Sequence, residues 1–78
     1  MIVKVLGVGC AKCKTLEKKL QDLKTKHNLN IEIEKVTELD DIIALGVMMT
    51  PGLIVNDQVK STGKIPKDED LLKWIREV

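Results

Sequence analysis

The chain has 78 residues, enough for one domain (1–78) around one small core. Apolar residues make up 44% and charged residues 32%, a balance that suits a folded chain and excludes a disordered one. The net charge of +1 builds no field that would draw nucleic acid or an anionic membrane surface, and no apolar run reaches the ~18 residues of a membrane span.

Met1 to Val8 is apolar apart from Lys4, but it is too short for a signal-peptide core and has no basic lead-in. The expected compartment is the cytoplasm. Ile2, Val3, Val5 and Leu6 make a short branched run that reads as a buried strand, broken by Gly7-Val8-Gly9. From 11 to about 27, Cys13, Leu16, Leu20 and Leu23 recur at spacings of three and four, which is one face of a helix with lysines on the others. Asn28 and Asn30 tolerate left-handed backbone and end it. Residues 31–36 nearly alternate and read as a second strand with a wetter face or an edge position.

Thr37 is the expected cap of a second helix, with Leu39, Ile42, Ile43 and Leu45 as its buried stripe and Gly46 as its stop. Leu53-Ile54-Val55 is a third strand, Asn56-Asp57 a tight turn, and residues 58–62 a fourth strand pairing back. Gly63 and Pro66 mark the exit. Asp68 is the expected cap of a last helix whose Leu71, Leu72, Ile75 and Val78 point inward, with Trp74 at the margin. The order β-α-β-α-β-β-α predicts an α/β fold: a four-stranded mixed sheet with helices on both faces and a right-handed crossover between the first two strands.

The chemistry concentrates at Cys10 and Cys13, the only cysteines. A disulfide closing so short a loop constrains little of the unfolded chain, so the pair is not architectural. It falls where a strand gives way to a helix, and the orphan N–H groups there favour a negative charge. A thiolate at Cys10 gains from that position, and Lys12 and Lys14 add nearby positive charge, screened by solvent. Cys13, one turn on, can reach Cys10 from the buried side. Cys10 can then attack a disulfide, and Cys13 can displace it from the mixed disulfide.

Thr50-Pro51 is the second feature. A proline just before a strand cannot donate to a central ladder, and X–Pro bonds are the common cis peptides. Gly9-Cys10-Ala11-Lys12-Cys13 opening the first helix, Thr50-Pro51-Gly52 opening the third strand, the hairpin, and Ser61-Thr62-Gly63-Lys64-Ile65-Pro66 together resemble the thioredoxin/glutaredoxin-like small redox-active disulfide proteins of archaea and bacteria. The resemblance covers essentially the whole chain. It implies a thioredoxin-like fold with sheet order 2-1-3-4 and the third strand antiparallel to the first. It also implies a cis Pro51 facing the two sulfurs and a Thr50 backbone that pairs with an extended substrate segment. Cys10 is then the exposed nucleophile and Cys13 the resolving thiol. The implied activity is a thiol–disulfide oxidoreductase of the protein-disulfide reductase type, acting on disulfide-containing proteins and recharged by an upstream reductase such as a thioredoxin-reductase-like flavoenzyme. A redox-active Cys10–Cys13 disulfide then serves in place of a separate cofactor.

Three features depart from the better-known patterns. Gly9 stands where thioredoxins carry Trp, and Ala11-Lys12 replaces Gly-Pro. The first strand carries Lys4 and no acidic residue, so thioredoxin's buried carboxylate is missing from that strand. Gly63 stands alone, without the Gly-Gly-x-Asp of glutathione binding.

A zinc site would need four ligands, and His27 lies roughly 25 Å along the helix from Cys10. Gly7-Val8-Gly9-Cys10-Ala11-Lys12-Cys13 also resembles the Gly-x-x-Cys-x-x-Cys loop of heavy-metal-associated domains, which carry soft ions such as Cu(I). That second resemblance implies the order β-α-β-β-α-β and a soft-metal binding or metallochaperone module. Met48 and Met49, just before Thr50, can pack internally, ligate a soft metal, or offer a pliable apolar contact to a partner; Met49 is the candidate partner contact.

Overall fold

Branched side chains that alternate in and out build the centre of the sheet. The computed structural model describes residues 1–9 and 11–76. Its elements run β1 (Ile2–Leu6), α1 (Ala11–Lys26), β2 (Glu32–Val36), α2 (Leu39–Ala44), β3 (Gly52–Val55), β4 (Gln58–Thr62) and α3 (Asp68–Arg76). The strand order is β2-β1-β3-β4. β1 and β2 are parallel, while β3 is antiparallel to both β1 and β4. This is the mixed α/β sheet of the thioredoxin-like fold. A helix, α2, stands between β2 and β3, so the order is not the β-α-β-β-α-β of heavy-metal-associated domains.

The period-two alternation of the strands sorts the core into two layers. Val3, Val5, Leu53 and Val55 face α1 and α3, packing with Leu16, Leu20, Leu23, Ile31, Leu71 and Ile75; Trp74, partly buried, packs against this cluster. Leu6 and Ile54 face the other way, onto Ile42 and Val47. All four residues of β3 are buried because both faces of that strand are covered.

Local chemistry sets the ends of the elements. Asn28 adopts φ 51°, and the Leu29 N–H donates to the Lys24 carbonyl, closing α1 with a left-handed residue. Asn56 and Asp57 both have positive φ, the signature of the two-residue turn whose twist matches a hairpin. Lys19 on α1 donates to the Pro66 carbonyl at 2.7 Å and pairs with Asp68 at 3.2 Å, tying the approach to α3 onto the first helix.

Three expectations need correction. The helix-preceding cap of α2 is Glu38, not Thr37, and no side chain bonds there. Asp68 lies within α3 rather than ahead of it. The Asp70 and Leu71 N–H groups donate to the Lys67 carbonyl, and the Asp68 carboxylate turns to Lys19. The third concerns the stripe on α2. Ile42 alone is buried, whereas Leu39, Ile43 and Leu45 are exposed.

The reason lies in how α2 ends. Gly46 (φ +85°) lets the Gly46 N–H reach the Ile43 carbonyl and the Val47 N–H reach the Ile42 carbonyl, the paired bonds of a Schellman motif. The chain therefore folds back and puts Val47 against Ile42, so a residue beyond the helix fills the space assigned to the stripe. Val78, expected to point inward, lies outside the described residues.

Truncating the two adjacent isoleucines separates these readings. Ile42→Ala should lower the unfolding free energy by about 2–4 kcal/mol, and Ile43→Ala by less than about 0.5 kcal/mol, measured by urea titration. Equal losses would restore the four-residue stripe.

Candidate functional site

The strand directions gather four connections at one end of the sheet. β1 and β2 run parallel, so the residues after Leu6 and after Val36 leave at the same end. β3 is antiparallel to β1, with Leu6 opposite Gly52, so the segment entering β3 arrives where β1 departs. β4 is antiparallel to β3, and the Gly63 N–H donates to the Pro51 carbonyl at 2.9 Å, placing the exit from β4 there as well. Cysteine turn, Thr37, Thr50-Pro51 and Gly63 are thereby brought together by topology alone.

Cys13 occupies the first turn of α1, 6% exposed, with its apolar successors Leu16, Leu20 and Leu23 on the buried side of the same helix. Its sulfur lies over Gly7. A Cβ added at Gly7 would overlap Cys13 Sγ, stand 3.0 Å from its Cβ, and lie 3.9 Å from the Thr50 Cβ. The backbone of Gly7 is held in place by its N–H, which donates to the Val36 carbonyl at 2.9 Å. Gly7 is thus the spacer across which the helix-borne sulfur and the Thr50 segment approach each other.

Pro51 is buried, Thr50 is half-buried, and the Thr50–Pro51 peptide bond is cis. Met48 and Met49 stand out at 82% and 64% exposed, far above any core residue, so they form surface rather than core. Met49 lies across Gly63: a Cβ there would come 3.1 Å from the Met49 methyl carbon. Ala11 and Lys12 are exposed, and the first turn of α1 holds no acidic residue to oppose a negative charge at the helix start. Cys10 lies outside the described residues. Of the other sequence-derived candidates, Cys13, Thr50 and Pro51 border Gly7 or its neighbours, Met49 flanks them on the surface, and Lys12 faces solvent.

Four further residues border this site, Glu17 and Lys35 without a functional signal singled out in sequence and Gly7 and Thr37 with a different one. In sequence Gly7 reads as a strand breaker and as the first glycine of a Gly-x-x-Cys-x-x-Cys loop, and neither reading shows its contact with Cys13. Glu17, Lys35 and Thr37 line a cavity of ≈ 80 Å³ shared with Cys13 and Gly7. Lys35 and Glu17 pair at 3.2 Å. Glu17 had a legible signal, since it follows Cys13 by four positions and so shares its helix face. Lys35 had none, because only the crossover brings β2 beside α1. Among the described residues no three His, Cys, Asp or Glu side chains cluster as a metal-binding group.

Residues 1–76 match the family model described as thioredoxin domain. The chain is 33% identical over 73 residues to a protein named thioredoxin from Methanothermobacter thermautotrophicus, covering 94% of this chain and 95% of that one. It is 31% identical over 76 residues to a thioredoxin from Methanocaldococcus jannaschii, covering 97% and 87% respectively. With a cysteine-bearing helix start set against a cis-proline loop in a β2-β1-β3-β4 sheet, and with near full-length matches on both sides, the chain belongs to the thioredoxin domain family.

Proposed function

We propose that this protein is a thiol–disulfide oxidoreductase that reduces or exchanges disulfides in partner proteins through the Cys10-Ala11-Lys12-Cys13 dithiol. The observation that supports it most is the burial of Cys13 against Gly7, one residue's width from Thr50. In this reading Cys10 is the nucleophile. A sulfur at the head of a 16-residue helix with no acidic residue in its first turn is favoured as an anion, and the thiolate is the attacking species. Its attack on a partner disulfide forms a mixed disulfide and releases one partner thiolate. Cys13 then attacks the Cys10 sulfur, the second partner thiolate leaves, and a Cys10–Cys13 disulfide remains. The partner disulfide gains two electrons and the dithiol loses them.

Thr50 and Pro51 serve as the platform for an extended substrate segment. Thr50 is half-buried and outside any strand, and such backbone can pair with an incoming chain. Met49 supplies a pliable apolar contact beside it. An upstream flavoenzyme of the thioredoxin-reductase kind would return the electrons, and the cytoplasm, where thiols stay reduced, suits this direction. No helix among the described residues is long and apolar enough to cross a membrane.

The two cysteines should behave unequally. Cys13→Ser should leave Cys10 able to attack but unable to release, so partner proteins accumulate as mixed disulfides resolved on non-reducing gels. Cys10→Ser should trap few, and equal trapping by both variants would reverse the roles.

Protein purified without chelator should lose two hydrogens on oxidation, read by mass after alkylation, and should carry no stoichiometric metal. A bound Cu(I)-type ion with no reversible mass change would favour the metal-carrying alternative instead.

A further inference from the structure

Beside Thr50-Pro51 runs a groove that the exchange reaction as described does not use. It measures ≈ 490 Å³ and is lined by Val59, Lys60, Ser61, Thr62 and Lys64, so it follows the edge of the sheet along β4. One end of it adjoins the cis-proline loop: the Gly63 N–H donates to the Pro51 carbonyl at 2.9 Å, and Met49 lies across Gly63. Lys64 is the next residue, and Lys60 precedes Gly63 by roughly 10 Å of strand. A chain extended across Thr50 and past Gly63 has the groove within reach.

The lining has a definite chemical preference. It holds two lysines and no carboxylate. Lys19 and Lys35 are matched by Asp68 and Glu17, whereas among the described residues neither Lys60 nor Lys64 pairs with an acid. Lys60 is the extra residue of a β-bulge, since Ile54 is opposite Val59 and Leu53 is opposite Ser61. Such a bulge re-aims its side chain and is common beside functional sites. Ser61 is 6% exposed, and its hydroxyl has no hydrogen-bond partner among the described residues. A buried hydroxyl left unmatched costs free energy and is normally paired. Ammonium groups and spare hydroxyls together complement a carboxylate. Lys60 and Lys64 stand roughly 13 Å apart along the backbone, so they suit two carboxylates on an extended chain rather than one small anion.

We propose that the β4 groove is a specificity site in which Lys60 and Lys64 bind acidic side chains of the partner segment held at Thr50-Pro51, so that disulfides flanked by Asp or Glu are preferred. This deepens the thiol–disulfide reading above and rests on it. The lysines act on capture, through ion pairs along the groove, and leave the sulfur chemistry to the cysteines.

The test uses short peptides whose single cysteine is joined to nitrobenzoate by a disulfide, with flanking residues that are glutamate, glutamine or lysine. Attack of the reduced protein at the peptide sulfur releases the coloured nitrobenzoate thiolate, the better leaving group. At low salt the glutamate peptide should be captured about fivefold to tenfold more efficiently than the glutamine peptide. The gain should lie in a lower half-saturating concentration and not in a faster maximal rate, and the lysine peptide should be slowest. The preference should fade in 1 M salt, where the Debye length is about 3 Å. Lys60→Gln with Lys64→Gln should bring the glutamate-to-glutamine ratio to about one. Lys18→Gln with Lys26→Gln, which removes the same charge from exposed positions on α1, should keep the preference.

Equal capture of the three peptides would overturn the proposal. So would a preference lost equally in both double variants, which marks net charge and not the groove. Faster turnover of oxidised glutathione than of any peptide, abolished by the changes at Lys60 and Lys64, would assign the groove to a small thiol instead. The dithiol reading is judged apart from these, by the step after capture. The peptide should leave, and the protein should then be two hydrogens lighter. A peptide that stays attached as a mixed disulfide would sink that reading, whatever its flanking residues.

Discussion

The close approach at Gly7 is the constraint on which the site depends. β1 delivers a residue without a side chain to the sheet end, and the Cys13 sulfur fills the space a Cβ would take. The same added Cβ would lie 3.9 Å from the Thr50 Cβ, so the sulfur and the cis-proline loop both approach this one residue. Its φ lies outside the left-handed region, so the requirement for glycine here is one of space and not of backbone conformation. Gly52, at the start of β3, has the same character: a Cβ there would come 2.6 Å from a Val47 methyl. Leu6 and Gly52 are register partners, so the two strands meet at this end with a glycine beside each. One glycine admits the active helix and the other admits the segment that closes α2.

Topology explains why a chain this short can assemble such a site. A parallel β1–β2 pair and antiparallel β1–β3 and β3–β4 pairs bring four chain connections to one edge without any long loop. The rest of the molecule holds α1 at a fixed depth. Leu16, Leu20 and Leu23 anchor it in the larger core, and Lys19 links it to the approach of α3. The Lys19–Asp68 pair is exposed on the acidic side and adds little energy, whereas the 2.7 Å bond to the Pro66 carbonyl fixes a position. Depth matters because Cys13 is the first buried residue along that helix. A shift of α1 along its axis would move the sulfur off Gly7.

Much of this was legible in the residues. Strands with clean alternation or all-apolar runs, and a helix with a three-four stripe, show their burial directly. Leu16, Leu20 and Leu23 lie where their spacing puts them, and the Asn56-Asp57 turn follows from two residues that tolerate positive φ. The misreadings came from contacts that periodicity does not encode. Val47 displaced Ile43 and Leu45 from the smaller core because Gly46 reverses the chain, and reversal is a property of one bond pattern rather than of a stripe. Thr37 and Asp68 have the chemistry of helix caps but found other places: Thr37 on the cavity wall and Asp68 on Lys19. For the site, the cysteine spacing and Thr50-Pro51 were visible at once. Gly7 as a spacer and Lys35 as a neighbour of Glu17 were not, since each depends on which strand lies beside which helix.

The most direct test of this account is equilibrium unfolding of reduced Gly7→Ala. Where an alanine fits, replacing glycine stabilises by about 0.4–1 kcal/mol, because the unfolded chain loses freedom. The packing of Gly7 against Cys13 predicts the opposite sign, a loss of about 1–3 kcal/mol from overpacking. A variant as stable as the unaltered protein, or more so, would mean that the sulfur does not occupy the space above Gly7, and the site as described would not stand.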